Sequence, residues 1–293
     1  GTGTGAGEAE GGAGWSGGFL GGDDDAVLEV ICDSRPIRWE MNRGGTTIHF
    51  RAHFEGGSSA LFKPEQAAAH SKWQAEVATY RLSRFLGIHR VPPSCEVEAR
   101  REDLTSAEGV TAAFRTRLEA EVPVAQDGAV RGMMMYWVPH LHYDEIALEG
   151  DWREWLEAGA RIPPGRLDDA AALSDLLLLD WLALNPDRWT GGNVRRAGST
   201  RGPLVFIDNA AGFGSSAWVS PATVWSRFRI TLRFRRGTVE ALRRATDESL
   251  HDLLGDILTA DQREALGQRR DEALRRIDWL IERLGADKVL FFE

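Results

Sequence analysis

Cysteine is scarce in this chain, with only Cys32 and Cys95 among 293 residues. Two are too few for a cysteine-rich framework, few enough for a cytosolic protein, and just enough for one disulfide. Sequence carries no pairing geometry. A Cys32–Cys95 bridge, conditional on export, and two free thiols therefore both stand open. Long hydrophobic runs are also missing. The most apolar stretch, Leu176 to Leu184, is interrupted by Asp180 and falls short of the ~20 residues that a spanning helix needs. No transmembrane segment is expected. No signal-peptide pattern opens the chain, and Gly1 in place of Met reads as a processed or truncated form. An excess of basic residues is lacking too: 35 Lys and Arg face 44 Asp and Glu, for a formal net charge of -9. That balance argues against nucleic acid as the main partner, since phosphate backbones draw clustered cations. The local group Arg227, Arg229, Arg233, Arg235 and Arg236 reads as a solvated or ion-paired surface.

What is present is an ordinary globular balance, 43% hydrophobic and 27% charged, in a chain long enough for one large or two-lobed domain. Residues 1–22 hold eleven glycines. Such a segment buries too little apolar surface to offset its chain entropy, so residues 1–25 read as a flexible tether. Its Gly14-Trp15-Ser16-Gly17-Gly18 fits a hydrolase pattern that has meaning only on a strand-turn-helix elbow, which low complexity does not make.

Val27 to Ile31 reads as a strand. Asn42-Arg43-Gly44-Gly45 is a glycine turn, and residues 46–54 alternate: Ile48, Phe50, Ala52 and Phe54 on one face, His49, Arg51 and His53 on the other. His49 and His53 have no further metal ligands nearby and read as a solvated strand face. Gly56-Gly57 turns the chain into a returning strand, Ser59 to Lys63. Residues 71–86 carry an apolar stripe at helical spacing, stopped by Gly87 and Pro92-Pro93. Met133 to Val138 reads as a buried strand. Residues 167–184 form the strongest helix, with Asp168 and Asp169 in its first turn and Asn185-Pro186 at its end. Pro203 to Ile207 is a short strand delivered into Asp208-Asn209, and the chain from about Val239 is helical. Strand-rich first and helix-rich second, with one early helix, suggests α+β lobes around a cleft.

Phosphoryl transfer asks a protein mainly for positioning and charge. It needs a cation for the phosphates, a carboxylate to orient that cation, a carboxylate to accept the nucleophile's proton, and oxygen ligands for a divalent metal. The chain offers these in order. Lys63 ends a strand after a glycine hairpin, and Glu76 lies on the next helix. Asp187 sits in a polar loop after a hydrophobic helix, with Asn193 in the same loop. Asp208 follows an apolar strand.

These residues carry a resemblance. Gly44-Gly45-Thr46-Thr47-Ile48-His49-Phe50 through Ala60-Leu61-Phe62-Lys63-Pro64 resembles the nucleotide-binding hairpin of the secretory-pathway kinases, the atypical family of the Golgi casein kinase, the glycosaminoglycan xylosylkinase and Four-jointed. Ala75-Glu76-Val77-Ala78, Leu82-Ser83-Arg84-Phe85-Leu86 and Arg90-Val91-Pro92-Pro93 resemble its helix and exit. Asp180 to Arg188 matches its D-x-x-x-x-N-x-D-R segment, and Asp208-Asn209-Ala210-Ala211-Gly212-Phe213-Gly214 resembles its D-N-x-x-G-F-G segment. The matches run in order over residues 44–93 and 175–245.

The resemblance implies a two-lobed, protein-kinase-like fold, with the N-lobe over 26–139 and a mostly helical C-lobe over 140–293. It implies ATP with Mn2+ or Mg2+. Lys63, paired with Glu76, would contact the phosphates beside Gly44 and Gly45. Met135 and Trp137 would lie at the adenine-contacting hinge. Asp187 would be the catalytic base, and Asp208 with Asn193 the metal ligands. Asn185 and Arg188 would support the loop. Where the casein-kinase and xylosylkinase members continue with an aromatic, histidine-rich stretch ending in an acid, this chain has Trp189-Thr190-Gly191-Gly192-Asn193. That ending, and the basic Phe228 to Arg244 stretch, are closer to Four-jointed. The implied activity is a kinase acting on Ser or Thr of an exported protein, in a secreted or extracytoplasmic setting. A glycan or small-molecule acceptor is the alternative. A nucleotide-binding pseudokinase is the competing class, and against it none of the four residues is substituted. Oligomeric state is left open.

Overall fold

A computed structural model describes residues 17–43, 46–68, 71–146, 150–189, 192–214 and 220–293. The hydrolase-like pattern at Gly14 to Ser16, the Gly44–Gly45 turn and residues 190–191 lie outside the described residues.

The first element departs from the sequence expectation. Val27 to Ile31 is not a strand but part of helix α1 (Asp24–Leu28), which runs on as a π-turn over Glu29–Asp33. The acidic run decides it. The Asp23 carboxylate accepts from the Asp25 and Ala26 N–H groups at 3.1 Å, while Asp24 and Asp25 fill the first turn. That start signal outweighs the β-branched preference of Val27, Val30 and Ile31.

Strands β1 (Arg38–Met41), β2 (Phe50–His53), β3 (Ser59–Pro64), β4 (Ser94–Arg100) and β5 (Ala129–Tyr136) form an antiparallel sheet in the order β1-β2-β3-β5-β4. Alternation gives the sheet two apolar faces. Phe50, Ala52, Ala60, Phe62 and Met134 bury one face with Trp39, Ile48 and Leu118, the last from helix α4 (Ala112–Glu121) beyond the short α3 (Arg101–Thr105). The opposite face carries Lys63, Met133 and Met135. Helix α2 (Trp73–Phe85) lies against it through Trp73, Val77 and Leu82. Cys32 and Cys95 are disulfide-bonded, tying the π-turn to β4.

The chain leaves β5 into a second, three-stranded sheet of β6 (Leu141–Tyr143), β7 (Val194–Ala197) and β8 (Leu204–Phe206). Around it lie α5 (Trp152–Trp155), α6 (Leu167–Ala183), α7 (Pro221–Phe228), α8 (Arg236–Arg244), α9 (Asp247–Leu254), α10 (Ala260–Leu284) and α11 (Ala286–Val289). Helix α6 is apolar on every side and buried almost throughout, as an interior helix must be. It stops at Leu184, whose φ of 48° is left-handed, and Pro186 blocks continuation. Among the described residues no helix is long and apolar enough to cross a membrane.

The basic group expected on a solvated or ion-paired surface is partly internal. Arg233 is 3% exposed and donates to the Trp155 and Ala160 carbonyls. Arg235 pairs with buried Asp175 at 2.9 Å. Their charges knit α5, α6 and the Arg233–Arg235 segment together, because a buried guanidinium must find acceptors.

Candidate active site

The register of β3 on β5 sets the site. Lys63 lies opposite Met133, and Leu61 opposite Met135. Side chains two apart share a face, so Leu61, Lys63, Met133 and Met135 line one side. Trp137, just past the end of β5, has the same parity. Its N–H donates to the Ser59 carbonyl at 3.0 Å, and the Arg51 guanidinium lies 4.4 Å from its ring centre. Met135 is buried in the core shared with α2, while Trp137 borders the turn between the two sheets.

Lys63 Nζ donates to Glu76 Oε1 at 2.8 Å and to Asp208 Oδ1 at 3.2 Å. Glu76 uses its second oxygen to accept the Asn209 N–H at 2.8 Å. One carboxylate from α2 thus joins the first sheet to the segment after β8. Burial works against the Lys63 charge, but the Glu76 and Asp208 carboxylates outweigh it and raise the amine above the usual lysine range. The Lys63 charge in turn holds the Asp208 carboxyl below its ordinary value. Asp208 is open to solvent, with about half of its side chain exposed (53%). Its φ of 55° places it in the left-handed region, which Asp tolerates better than most residues and which often marks a working site.

Asp187 follows Asn185-Pro186 in the loop after α6. Its N–H donates to Asn185 Oδ1 at 3.1 Å, and its carbonyl accepts from Asn193 Nδ2 at 2.7 Å. The two loop residues proposed for chemistry are therefore latched to each other through the backbone. Arg188 is the rivet beneath them. Fully buried, it donates to Asp180 at 3.1 and 3.2 Å, to the Ile207 carbonyl at 2.7 Å, to the Asn193 carbonyl at 3.0 Å and to Asn209 Oδ1. Burial pushes the Asp180 carboxyl up, and Arg188 opposes that shift. Beside the loop, Trp189 stacks on Trp152 with ring centres 5.3 Å apart.

The structure thus brings Lys63, Glu76 and Asp208 into direct contact, with Asp187 and Asn193 in one loop that Arg188 ties to Asn209. Gly44 and Gly45 lie outside the described residues. Among the described residues no group of three His, Cys, Asp or Glu is preassembled for a metal. The donors present, the open Asp208 carboxylate and the Asn193 amide oxygen, suit a hard divalent cation that takes its other ligands from a phosphate and water.

Two residues escaped the sequence reading. His49, assigned to a solvated face, is only 8% exposed and looks toward Lys63. The signal for it was the register: Phe50 pairs with Phe62, so His49 falls opposite Lys63. Gln66 was passed over. Its buried amide accepts the Ile48 N–H at 2.8 Å and donates to the Ile48 and Pro64 carbonyls, pinning the strand that follows the glycine turn.

No family model matches the chain. It is 24% identical over 324 residues to a glycosaminoglycan xylosylkinase of Danio rerio, spanning 90% of this chain and 77% of that protein. The Homo sapiens glycosaminoglycan xylosylkinase is 22% identical over 323 residues, with the same coverage. Among solved structures, a hydra Fam20 with sugar matches with a TM-score of 0.65 at 19% identity, over 90% of both chains. The Golgi casein kinase with Mn and ADP bound matches with a TM-score of 0.65 at 17% identity, over 91% of this chain and 78% of that one. These solved structures share the two-lobed α+β fold described above.

Proposed function

We propose that this chain is an ATP-dependent kinase of the secretory-pathway atypical family of the glycosaminoglycan xylosylkinases and the Golgi casein kinase, and that it phosphorylates a sugar hydroxyl. The observation that carries the site assignment is the buried Lys63–Glu76 pair reaching Asp208 in the segment after β8.

In this reading Lys63 neutralises the nucleotide phosphates, and Glu76 keeps its amine aimed at them. Asp187 accepts the acceptor's hydroxyl proton. The freed oxygen attacks the γ-phosphorus as its bond to the bridging β–γ oxygen breaks and ADP departs. Asp208 and Asn193 would hold Mn2+ or Mg2+, which would supply charge neutralisation of the phosphates when bound. Met135 and Trp137 would border the adenine.

Two observations favour a sugar over the Ser/Thr acceptor expected from sequence. The two curated relatives reported above are glycosaminoglycan xylosylkinases. Trp189, partly exposed two residues after Asp187 and backed by the buried Trp152, offers an indole face, which suits the apolar face of a sugar ring. The Four-jointed-like branch rests on Asn193 and the Phe228 to Arg244 stretch alone. The Cys32–Cys95 disulfide supports work in an oxidising, extracytoplasmic compartment; release from the cell is part of the proposal.

The test is mass spectrometry of xylose-containing glycans and Ser/Thr peptides incubated with the protein, ATP and Mn2+. Phosphate on the glycans is the expected result. Phosphate on peptides alone replaces the acceptor. Asp187→Ala should abolish transfer yet keep nucleotide binding, and Asp208→Ala should lose metal-dependent binding. Full activity in Asp187→Ala overturns the site. Nucleotide binding with no product on any acceptor identifies a pseudokinase.

A further inference from the structure

His49 reaches the site from the strand beside Lys63. Continuing the β2–β3 register one residue past the Phe50–Phe62 pair sets it across from Lys63, and alternation turns both side chains to the face opposite Phe50 and Phe62. The imidazole is buried, and Nδ1 lies 2.8 Å from the Thr47 carbonyl. A carbonyl only accepts, so Nδ1 carries the ring proton in the neutral form, and Nε2 is left as a bare lone pair. Among the described residues Nε2 makes no hydrogen bond, and His49 has no hydrogen bond or ion pair with Asp208.

The charged groups that face the ring come from three other elements. They are Lys63 on β3, Asp208 after β8, and Arg117 on α4, which also donates to the Thr46 carbonyl at 2.6 Å. Burial, and then Lys63, hold the imidazole below its ordinary value, so the ring is neutral near pH 7 with the nucleotide absent. A bound phosphate chain would reverse the local field. It brings several negative charges to a wall where the Lys63 cation is already shared between two carboxylates.

We propose that His49 is a further phosphate-contacting residue of the nucleotide site, taking up a proton as the nucleotide binds and donating from Nε2 to a phosphate oxygen. The proposal rests on the kinase reading above and deepens it. It makes nucleotide affinity rise as pH falls, since binding is then linked to proton uptake. It also gives the strand after the glycine turn a chemical task beyond its backbone.

The test is calorimetric titration of ADP with Mg2+ between pH 6 and pH 8, in buffers of different ionisation heat. His49→Gln carries the nucleotide's own titration and is the reference. Relative to it, the wild type should take up a proton and should bind about tenfold more tightly at pH 6 than at pH 8. His49→Lys, a fixed cation, should bind tightly with no extra pH slope. Equal slopes and equal proton counts in wild type and His49→Gln overturn the proposal. So does tighter wild-type binding at higher pH, the mark of a neutral Nε2 coordinating the metal. If the variants fail to fold, the imidazole is titrated by NMR in the wild type with and without ADP; a pKa that does not rise with ADP overturns the proposal. A wild type that binds no ADP at all overturns the kinase reading with it, whereas binding without the extra slope overturns His49 alone.

Discussion

Lys63 Nζ donates to Glu76 Oε1 at 2.8 Å, with the two side chains only 7% and 2% exposed. A buried pair of this kind contributes little net stability while intact, yet breaking it leaves an uncompensated charge. Glu76→Gln should destabilise the fold by about 3 kcal/mol, the low end of that range because Asp208 still faces Lys63. Urea unfolding checks the stability. Loss of the ATP-dependent thermal shift checks the site.

Arg188 touches neither proposed reactant, yet it should matter as much as a residue that does. Arg188→Met strands Asp180 without its cation and releases the Ile207 and Asn193 carbonyls, for an expected cost of about 4 kcal/mol. The double variant Asp180→Leu/Arg188→Met should recover part of that stability but not the activity, because Asn209 and Asn193 lose their tether. A double-mutant cycle in urea, with turnover measured alongside, separates the two effects.

Gly132 lies where β5 passes β3. A Cβ there would stand 2.5 Å from the Lys63 carbonyl and 2.9 Å from the Phe62 ring. Gly132→Ala should force the strands apart, costing about 2 kcal/mol, and should weaken nucleotide binding by moving Lys63. Thermal unfolding and an ADP titration read both consequences.

The Cys32–Cys95 bridge closes a loop with a sequence separation of 63. Loop-closure entropy puts its contribution at up to about 4 kcal/mol. The Cys32→Ser/Cys95→Ser variant should unfold at lower denaturant concentration, and reductant should lower the wild type to match it.

Asp208 has a depressed folded-state pKa. Its contribution is therefore present above the unfolded carboxylate value, about 3.9, and is lost as pH falls through the lower folded value. Lys63, raised in the fold, keeps its contribution below the ordinary lysine value, so it does not limit stability in acid. The stability difference between wild type and Asp208→Asn should be flat from pH 7 to pH 5 and should shrink in stronger acid.

Much of the site could be read along the chain. Lys63, Glu76, Asp187 and Asp208 stood out because each lies on or just beyond a regular element whose periodicity is local: β3, α2, α6 and β8. Their order along the chain, together with the resemblance, was enough to name them. The helix at 73–85 and the buried helix at 167–183 followed from spacing and stop signals alone. The errors came where local rules compete or stop short. At Val27–Ile31 an acidic N-terminal cap beat β-branched residues. At Arg233 a charge was drawn inside by carbonyls distant in sequence, while Arg235 is ion-paired as one of the two readings had it.

Alternation alone determined that His49, Arg51 and His53 share one face of a strand, and composition determined that the pairing of two cysteines was open. Only the tertiary structure decided that the His49 end of this polar face is buried as well, that Cys32 reaches Cys95, and that Glu76 holds both Lys63 and Asn209. The physical reason is that a strand's pattern specifies two faces without saying whether the polar one is covered too. That choice is made by α2 packing on one side and α4 on the other, and by the register that sets His49 against Lys63.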